Sequence, residues 1–149
     1  MHHHFYFHYL IITSSDALFS DLLYFLIMAD KQVSLEQQGL EIYQYIVDHC
    51  EQDTEQLSEL IGKLRSVDTS GQFLASTARY LSALDREKFE PWLSPLIEGA
   101  IDRDREHRYI GSLLEAIWGD DYRENIDDLK ASDNNFRRIY KRIYPDSPI

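Results

Sequence analysis

The chain has 149 residues, of which 44% are hydrophobic, and a formal net charge of −11 at pH 7. This length corresponds to one domain, which buries enough surface to fold without a metal or a disulfide. The single cysteine excludes an intrachain disulfide and is consistent with a reducing cytoplasm, the location we predict, while the negative charge argues against general polyanion binding.

Residues 1–27 differ in composition from the rest of the chain. They hold 7 of the 19 aromatic residues and no Lys or Arg. The aromatic and β-branched residues 5–12 predict an extended or strand-like segment. Ser14 or Ser15 then fits the N-cap of a helix that runs to about Met28 and has a wide apolar face. We therefore interpret residues 1–27 as an aromatic, apolar N-terminal extension.

This extension lacks the pattern of a targeting or membrane-spanning segment. A signal peptide begins with cations, whereas the histidines at residues 2–4 are mostly neutral at pH 7. Asp16 and Asp21 interrupt the apolar run, and an Asp at the centre of a spanning helix costs about 2.5–3.5 kcal/mol. We predict no transmembrane span, and the lack of Lys and Arg also argues against membrane-surface contact.

Residues 28–149 have helical patterning and are predicted to form a single acidic helical domain. Ser34 and Gln37 have capping-box spacing. The apolar residues that follow, up to Cys50, recur with a period close to that of an α-helix. Cys50 is predicted to be a half-buried thiol near the end of this helix.

Two further helices are predicted before the middle of the chain. Asp53 and Gln56 repeat the capping spacing ahead of a helix whose apolar stripe ends at Val67. After the turn residues 68–71, another helix extends from Phe73 to about Ala83.

Helical spacing then continues across two prolines. We predict a short turn of helix from about Arg86, a break, and a helix from Pro95 to about Asp102. Ser94 is the predicted N-cap, because proline is tolerated at the first helical position. The apolar stripe loses its phase over residues 102–108.

Three short helices are predicted over the rest of the chain. The first covers residues 109–118 and is ended by Gly119, and the second covers residues 122–129. Ser132 is the predicted cap of the last helix, which Pro145 ends. The predicted fold class is therefore all-α, a compact multi-helix bundle of about seven or eight short helices.

The candidate metal ligands do not have the spacing of a site. Histidines 2, 3, 4 and 8 lie near a terminus, where metal binding is weak. Asp104 and His107 resemble half of a diiron motif, which needs a second acid-x-x-His pair and two further glutamates. We interpret Asp104 as a solvated acid beside a surface histidine, and we predict no metal ion and no cofactor.

Five acids cluster after Gly119, but their spacing does not match a calcium loop. We interpret them as capping and solvated charges at the start of a short helix. They are Asp120, Asp121, Glu124, Asp127 and Asp128.

The sequence contains no motif of nucleophilic catalysis or nucleotide binding. Cys50 follows His49, but adjacent helical residues point about 100° apart and are poorly placed to form a pair. There is no nucleophile elbow, no glycine-rich phosphate loop and no dinucleotide fingerprint. We therefore predict no catalytic residues.

Four cations lie on one face of the last predicted helix: Arg137, Arg138, Lys141 and Arg142. We expect them to be solvated or to pair with the chain's own acids, with Asp127 and Asp128 close in sequence. An acidic protein partner and nucleic-acid phosphates are the alternatives.

The sequence favours a non-catalytic protein-interaction module. An ordered apolar extension must be covered, by the chain's own core or by a second copy of the chain. The predicted interaction residues are Phe5, Phe7, Tyr9, Phe19, Leu22 and Phe25 in the extension, with Arg137, Arg138, Lys141 and Arg142 in the last helix.

Two other functions remain as alternatives. One is an enzyme or metal-binding helical bundle that uses scattered Asp, Glu and His residues, and the other is nucleic-acid association through the last helix. The extension has two readings as well. Residues 1–27 either belong to the native protein or precede a true start at Met28.

Overall fold

The structure is a computed structural model that describes residues 20–24 and 34–146. The chain divides into two compact units, Met1–Ser34 and Leu35–Ile149. In the first unit, residues 20–24 are helical. The strand-like segment predicted at residues 5–12 lies outside the described residues.

The second unit consists of helices and their connections in the part that is described, which confirms the predicted all-α class. Most helices are short, as predicted, but one element has 32 residues. The elements are α1 (Leu35–His49), α2 (Leu57–Val67), α3 (Gln72–Arg103), α4 (Gly111–Trp118), a 3₁₀ turn (Tyr122–Asn125), α5 (Ile126–Ser132) and α6 (Asn134–Ile143).

Helix α3 is a hairpin of two arms, residues 72–84 and 86–103. Asp85 has the non-helical angles φ −164° and ψ 92°, and its carboxylate accepts a hydrogen bond from the Lys88 amide at 3.1 Å, as an N-cap does. A Cβ atom added at Gly71 would lie 3.0 Å from the Ala100 carbonyl oxygen. A straight helix would separate these residues by about 43 Å, so the arms fold back on each other. The predicted end of one helix at about Ala83 and start of the next at about Arg86 are confirmed by this interruption at Asp85.

The break predicted between the helical turn at Arg86 and the helix from Pro95, with Ser94 as its N-cap, is wrong. The second arm of α3 continues through Pro91 and Pro95 to Arg103. Each internal proline costs about 3 kcal/mol. The arm nevertheless stays helical because its other face is buried in the core, and burial of one large apolar side chain gives about 1.5–3 kcal/mol. These buried residues include Phe89, Leu93, Leu96, Ile97, Ala100 and Ile101.

The core lies around α3, which contacts α1, α2, α4 and α6. No residue of α5 is buried. Cys50, predicted to be half-buried, is in fact only 1% exposed, because it lies directly after α1 on the buried side of the chain. No helix in residues 20–24 or 34–146 is long and apolar enough to cross a membrane.

The last helix begins one residue later than predicted. Asp133, not Ser132, is the N-cap of α6: one carboxylate oxygen accepts from the Phe136 amide at 3.1 Å. The other oxygen accepts from the Trp118 indole at 2.8 Å. Ser132 instead donates to the Asp128 carbonyl, so its hydroxyl is already bonded within α5. Asp133 therefore ties the start of α6 to the end of α4.

Candidate functional site

An open groove of about 310 Å³ lies between α2 and the second arm of α3. The α2 residues have helical spacing i, i+3, i+4 and i+7, which places them on one face. The residues that line the groove are Ser58, Ile61, Gly62 and Arg65 from α2, and Pro91, Trp92 and Pro95 from α3.

Trp92 joins the two walls at one end of this groove. Its indole Nε1 donates to the Ser58 hydroxyl oxygen at 3.2 Å. Its ring also packs on the buried ring of Phe89, with 6.2 Å between the centroids. The side chain is half-buried, so these two contacts fix its orientation while part of the indole remains accessible.

Three residues of the groove are unfavourable inside helices. Gly62 is exposed in the middle of α2, and a Cβ atom added there would meet no atom within 4 Å. Glycine costs about 1 kcal/mol relative to alanine in this context, and Pro91 and Pro95 cost about 3 kcal/mol each. Local rules are typically broken where function requires it. The clustering of these three residues therefore marks the groove as a candidate site.

The prolines also change the hydrogen bonding of the second arm. Proline has no amide hydrogen, so Pro91 and Pro95 leave the carbonyls of Glu87 and Pro91 without their regular helical donors. Pro91 is exposed and Pro95 is half-buried, so both rings lie at the surface of the protein. A bound main chain could supply the missing donors.

Arg65 supplies the charge of the groove. Its stem packs against Gly99, where an added Cβ would lie 3.4 Å from the Arg65 Nε atom. Among residues 34–146, no group forms a hydrogen bond or ion pair with its guanidinium. Arg65 is seven residues after Ser58, about 10 Å along α2. One end of the groove therefore carries an indole and the other a cation that the described fold does not neutralise.

The aromatic residues predicted for interaction fall mostly outside the described part. Phe5, Phe7, Tyr9, Phe19 and Phe25 belong to the residues that are not described. Leu22 lies in the helical stretch 20–24 and is half-buried. An interaction through the extension therefore stays a prediction.

Three of the four predicted cations of α6 donate to groups in the same chain. Arg137 donates to the Lys130 carbonyl at 2.8 Å, and Arg142 donates to the Arg138 carbonyl at 2.9 Å. Arg138 forms an ion pair with Asp102 at 2.9 Å. The fourth cation, Lys141, is exposed.

The prediction that acids close in sequence pair with the four cations of α6 is wrong for Arg138. Asp127 and Asp128 precede α6 in sequence, but the acid that pairs with Arg138 is Asp102, 36 residues upstream. The reason is that α6 packs on α3, where Asp102 lies near the end of the second arm.

The interpretation of Asp104 as a solvated acid is wrong. Its side chain is buried, and its carboxylate accepts hydrogen bonds from the amides of Arg108 (2.9 Å), Tyr109 (2.7 Å) and Ile110 (2.9 Å). His107 is exposed and has φ +58°. Asp104 thus shapes the loop before α4. No group of three or more potential metal ligands occurs in the described part of the chain.

Cys50 does not have the surroundings of a nucleophile. Burial raises the pKa of its thiol, and the neighbouring charge of Glu51 raises it further. The ring of His49 stacks on Tyr45 at 3.9 Å between centroids. The thiolate is therefore scarce near neutral pH.

The acids at 120, 121, 124, 127 and 128 are all exposed, as expected for solvated charges.

Sequence reasoning missed the groove, although a signal was present. Gly62, Pro91 and Pro95 are each unfavourable inside a helix, but their proximity follows only from the packing of α2 on α3.

Comparison with known protein families, with curated proteins and with solved structures found no match.

Proposed function

We propose that the chain is a non-catalytic protein-interaction module and that the groove between α2 and α3 binds an extended, acidic segment of a partner protein. The observation that carries this proposal is Arg65, a cation without a partner in the described fold, in a groove walled by Trp92 and two prolines.

The apolar end supports binding of a protein rather than of a small polar solute. Tryptophan and arginine are the residues most enriched among those that dominate binding energy at protein interfaces. Trp92 is held by its bond to Ser58, so little conformational entropy remains to be lost when a partner packs against it. Gly62 has no side chain to fill the groove, so this part of the groove is open to a partner.

The charged end selects an acid. Arginine pairs with carboxylates through two parallel hydrogen bonds. The net charge of −11 repels acidic partners at long range, but screening limits this repulsion to about 8 Å at physiological ionic strength. Within the groove, the charge of Arg65 therefore decides which partner binds.

The spacing of the two ends defines the partner segment. Ser58 and Arg65 are about 10 Å apart along α2, which an extended chain in the polyproline II conformation spans in about three residues at roughly 3.1 Å each, with the first and fourth side chains on the same face. The expected segment therefore has an apolar residue followed, three positions later, by Asp or Glu. Its amides can donate to the carbonyls that Pro91 and Pro95 leave without helical donors.

Blocked tetrapeptides with Leu, Phe or Trp first and Asp last test this proposal. Titrated into the isotope-labelled full chain, they should shift the amide resonances of α2 and of the second arm of α3. Peptides with Asn in place of Asp are the matched control and should bind more weakly. The affinity difference between the Asp and Asn peptides should be roughly two- to fivefold, the range for one partly exposed charge, and Arg65→Gln should remove it.

Arg123→Gln is the control variant, because it removes one exposed cation from the 3₁₀ turn, away from the groove lining. It should leave peptide binding unchanged. Resonance shifts outside the groove, or equal binding of Asp and Asn peptides, would refute the proposal.

Two further parts of the proposal rest on composition. Self-association through residues 1–27 is proposed from their apolar, aromatic composition and is tested separately from the groove. Action in the cytoplasm is supported by the single cysteine, Cys50, which is a free, buried thiol.

A further inference from the structure

A second depression, of about 240 Å³, lies at the open end of the α3 hairpin. Two loops meet there: residues 68–71, before the first arm, and residues 104–110, after the second arm. Donor side chains from both loops and from the end of α3 line it: Thr69, Ser70, Arg103, Arg105 and Tyr109.

Two buried aspartates fix the loops that form this depression. The carboxylate of Asp68 accepts from the Gly71 amide at 3.1 Å and from the Leu74 amide at 2.7 Å. Asp104 holds the second loop through its three amide bonds. Gly71 lies where the two loops are in contact. A Cβ atom added to it would lie 3.2 Å from the Asp104 amide nitrogen. The donors around the depression are thus held by rigid backbone.

The charge in this depression is positive, against the sign of the whole chain. Arg108 is paired with Glu106 at 2.7 Å at the exposed rim. Among the described residues, no group bonds to the guanidinium groups of Arg103 and Arg105. Asp104 is the other acid in the lining, but it is 2% exposed and both its oxygens accept amide bonds.

We propose that this depression, which we call the arginine pocket, binds a phosphate group. The guanidinium groups of Arg103 and Arg105 match the geometry of phosphate oxygens. The hydroxyls of Thr69, Ser70 and Tyr109 supply additional donors. The Ser70 oxygen accepts from the Gln72 amide at 3.3 Å, which leaves its hydrogen available to a ligand.

Phosphate fits this donor set better than a carboxylate does. Two guanidinium groups and three hydroxyls offer more donors than a single carboxylate, with about four acceptor sites, can use. A phosphate monoester has three terminal oxygens and close to two negative charges at pH 7. The source of the group is either a free phosphate or a phosphorylated side chain, since both present the same oxygens.

Phosphate titrations of the full chain test this inference independently of the groove. Inorganic phosphate, added against chloride at constant ionic strength, should shift the amide resonances of Thr69, Ser70, Arg105 and Tyr109 with saturation. Blocked phosphoserine is the second probe. Tighter binding of blocked phosphoserine identifies a phosphorylated side chain as the source, and tighter binding of inorganic phosphate identifies a free phosphate.

Arg103→Gln and Arg105→Gln should each weaken phosphate binding roughly two- to fivefold, the range for removal of one partly exposed charge. Arg123→Gln, in the 3₁₀ turn and outside the lining of the depression, is again the charge-matched control and should leave it unchanged. Circular dichroism checks that every variant remains folded. Shifts that are absent or spread over the surface, or equal binding by the Arg variants and the control, would overturn the inference.

Discussion

Gly71 is the residue whose replacement most directly tests the folded-back geometry of α3. Its φ is +82°, a left-handed value that costs other residues about 1–2 kcal/mol. A Cβ atom would also lie 3.0 Å from the Ala100 oxygen and 3.2 Å from the Asp104 nitrogen. The Asp104 amide donates a hydrogen bond to this Ala100 oxygen at 2.9 Å, so neither atom can move away without loss of that hydrogen bond.

Gly71→Ala is therefore expected to lower the free energy of unfolding by roughly 2–3 kcal/mol. Overpacking typically adds about 1–3 kcal/mol to the backbone strain, while the restricted unfolded chain returns about 0.4–1 kcal/mol. Urea denaturation followed by far-ultraviolet circular dichroism measures this difference. An unchanged slope of the free energy against urea concentration would show that the substitution changes stability and not the surface exposed on unfolding.

Gly62→Ala is the matched control for the Gly71 experiment. Gly62 lies inside α2 and a Cβ there meets open space, so the same change should stabilise the chain by about 0.8–1 kcal/mol. Opposite signs at the two glycines are the expected result. If Gly71→Ala were as stable as the natural chain, or if both variants lost stability equally, the hairpin reasoning would be refuted.

Three other predictions concern the buried aspartates and the extension. Asp104→Asn should lower stability by about 2–3 kcal/mol, because an amide nitrogen would face backbone donors; Asp102→Asn, at an exposed ion pair, should change it by less than about 1 kcal/mol. Burial raises the pKa of Asp68 above its ordinary 3.8, so the folded chain binds this proton more tightly than the unfolded chain. As the pH falls from the native pKa of Asp68 toward 3.8, the free energy of unfolding of the natural chain should therefore rise relative to that of Asp68→Asn. Above the native pKa, this difference should not change with pH. Parallel plots of unfolding free energy against pH for the two chains would contradict this. A chain that starts at Met28 should be monomeric by light scattering while the full chain is a dimer, and two monomers would refute self-association through residues 1–27.

The helical class and several boundaries could be predicted from local sequence. The period of apolar residues predicted α1 and α2, and Gly119, with φ +98°, ends α4 as expected. The end of one helix at about Ala83 and the start of the next at about Arg86 also followed from local pattern. These features depend on residues within a few positions of each other, which is why periodicity and end signals captured them.

Other features depended on neighbours that are distant in sequence. Pro91 and Pro95 predicted a break, but burial of the opposite face of the arm kept it helical. Asp104 had the local pattern of a solvated acid, yet the amides of residues 108–110 surround it. Local pattern contains no information about which face of an arm is covered.

The candidate sites show the same division. Sequence alone supplied Gly62, Arg65 and Trp92 as residue types, and it predicted no site from them. The packing of α2 on α3 places them in one groove, and the fold-back at Asp85 brings residues 68–71 next to residues 104–110.

The sequence by itself determined that this chain is acidic and helical, with helices that end at identifiable residues. Those properties come from the preferences of single residues and from their spacing within one helix. Only the tertiary structure decided that, within the part of the chain it describes, Arg65, Arg103 and Arg105 lack partners while Arg138 has one. The reason is that each charge is satisfied, or left available, by groups that packing brings together from distant parts of the chain.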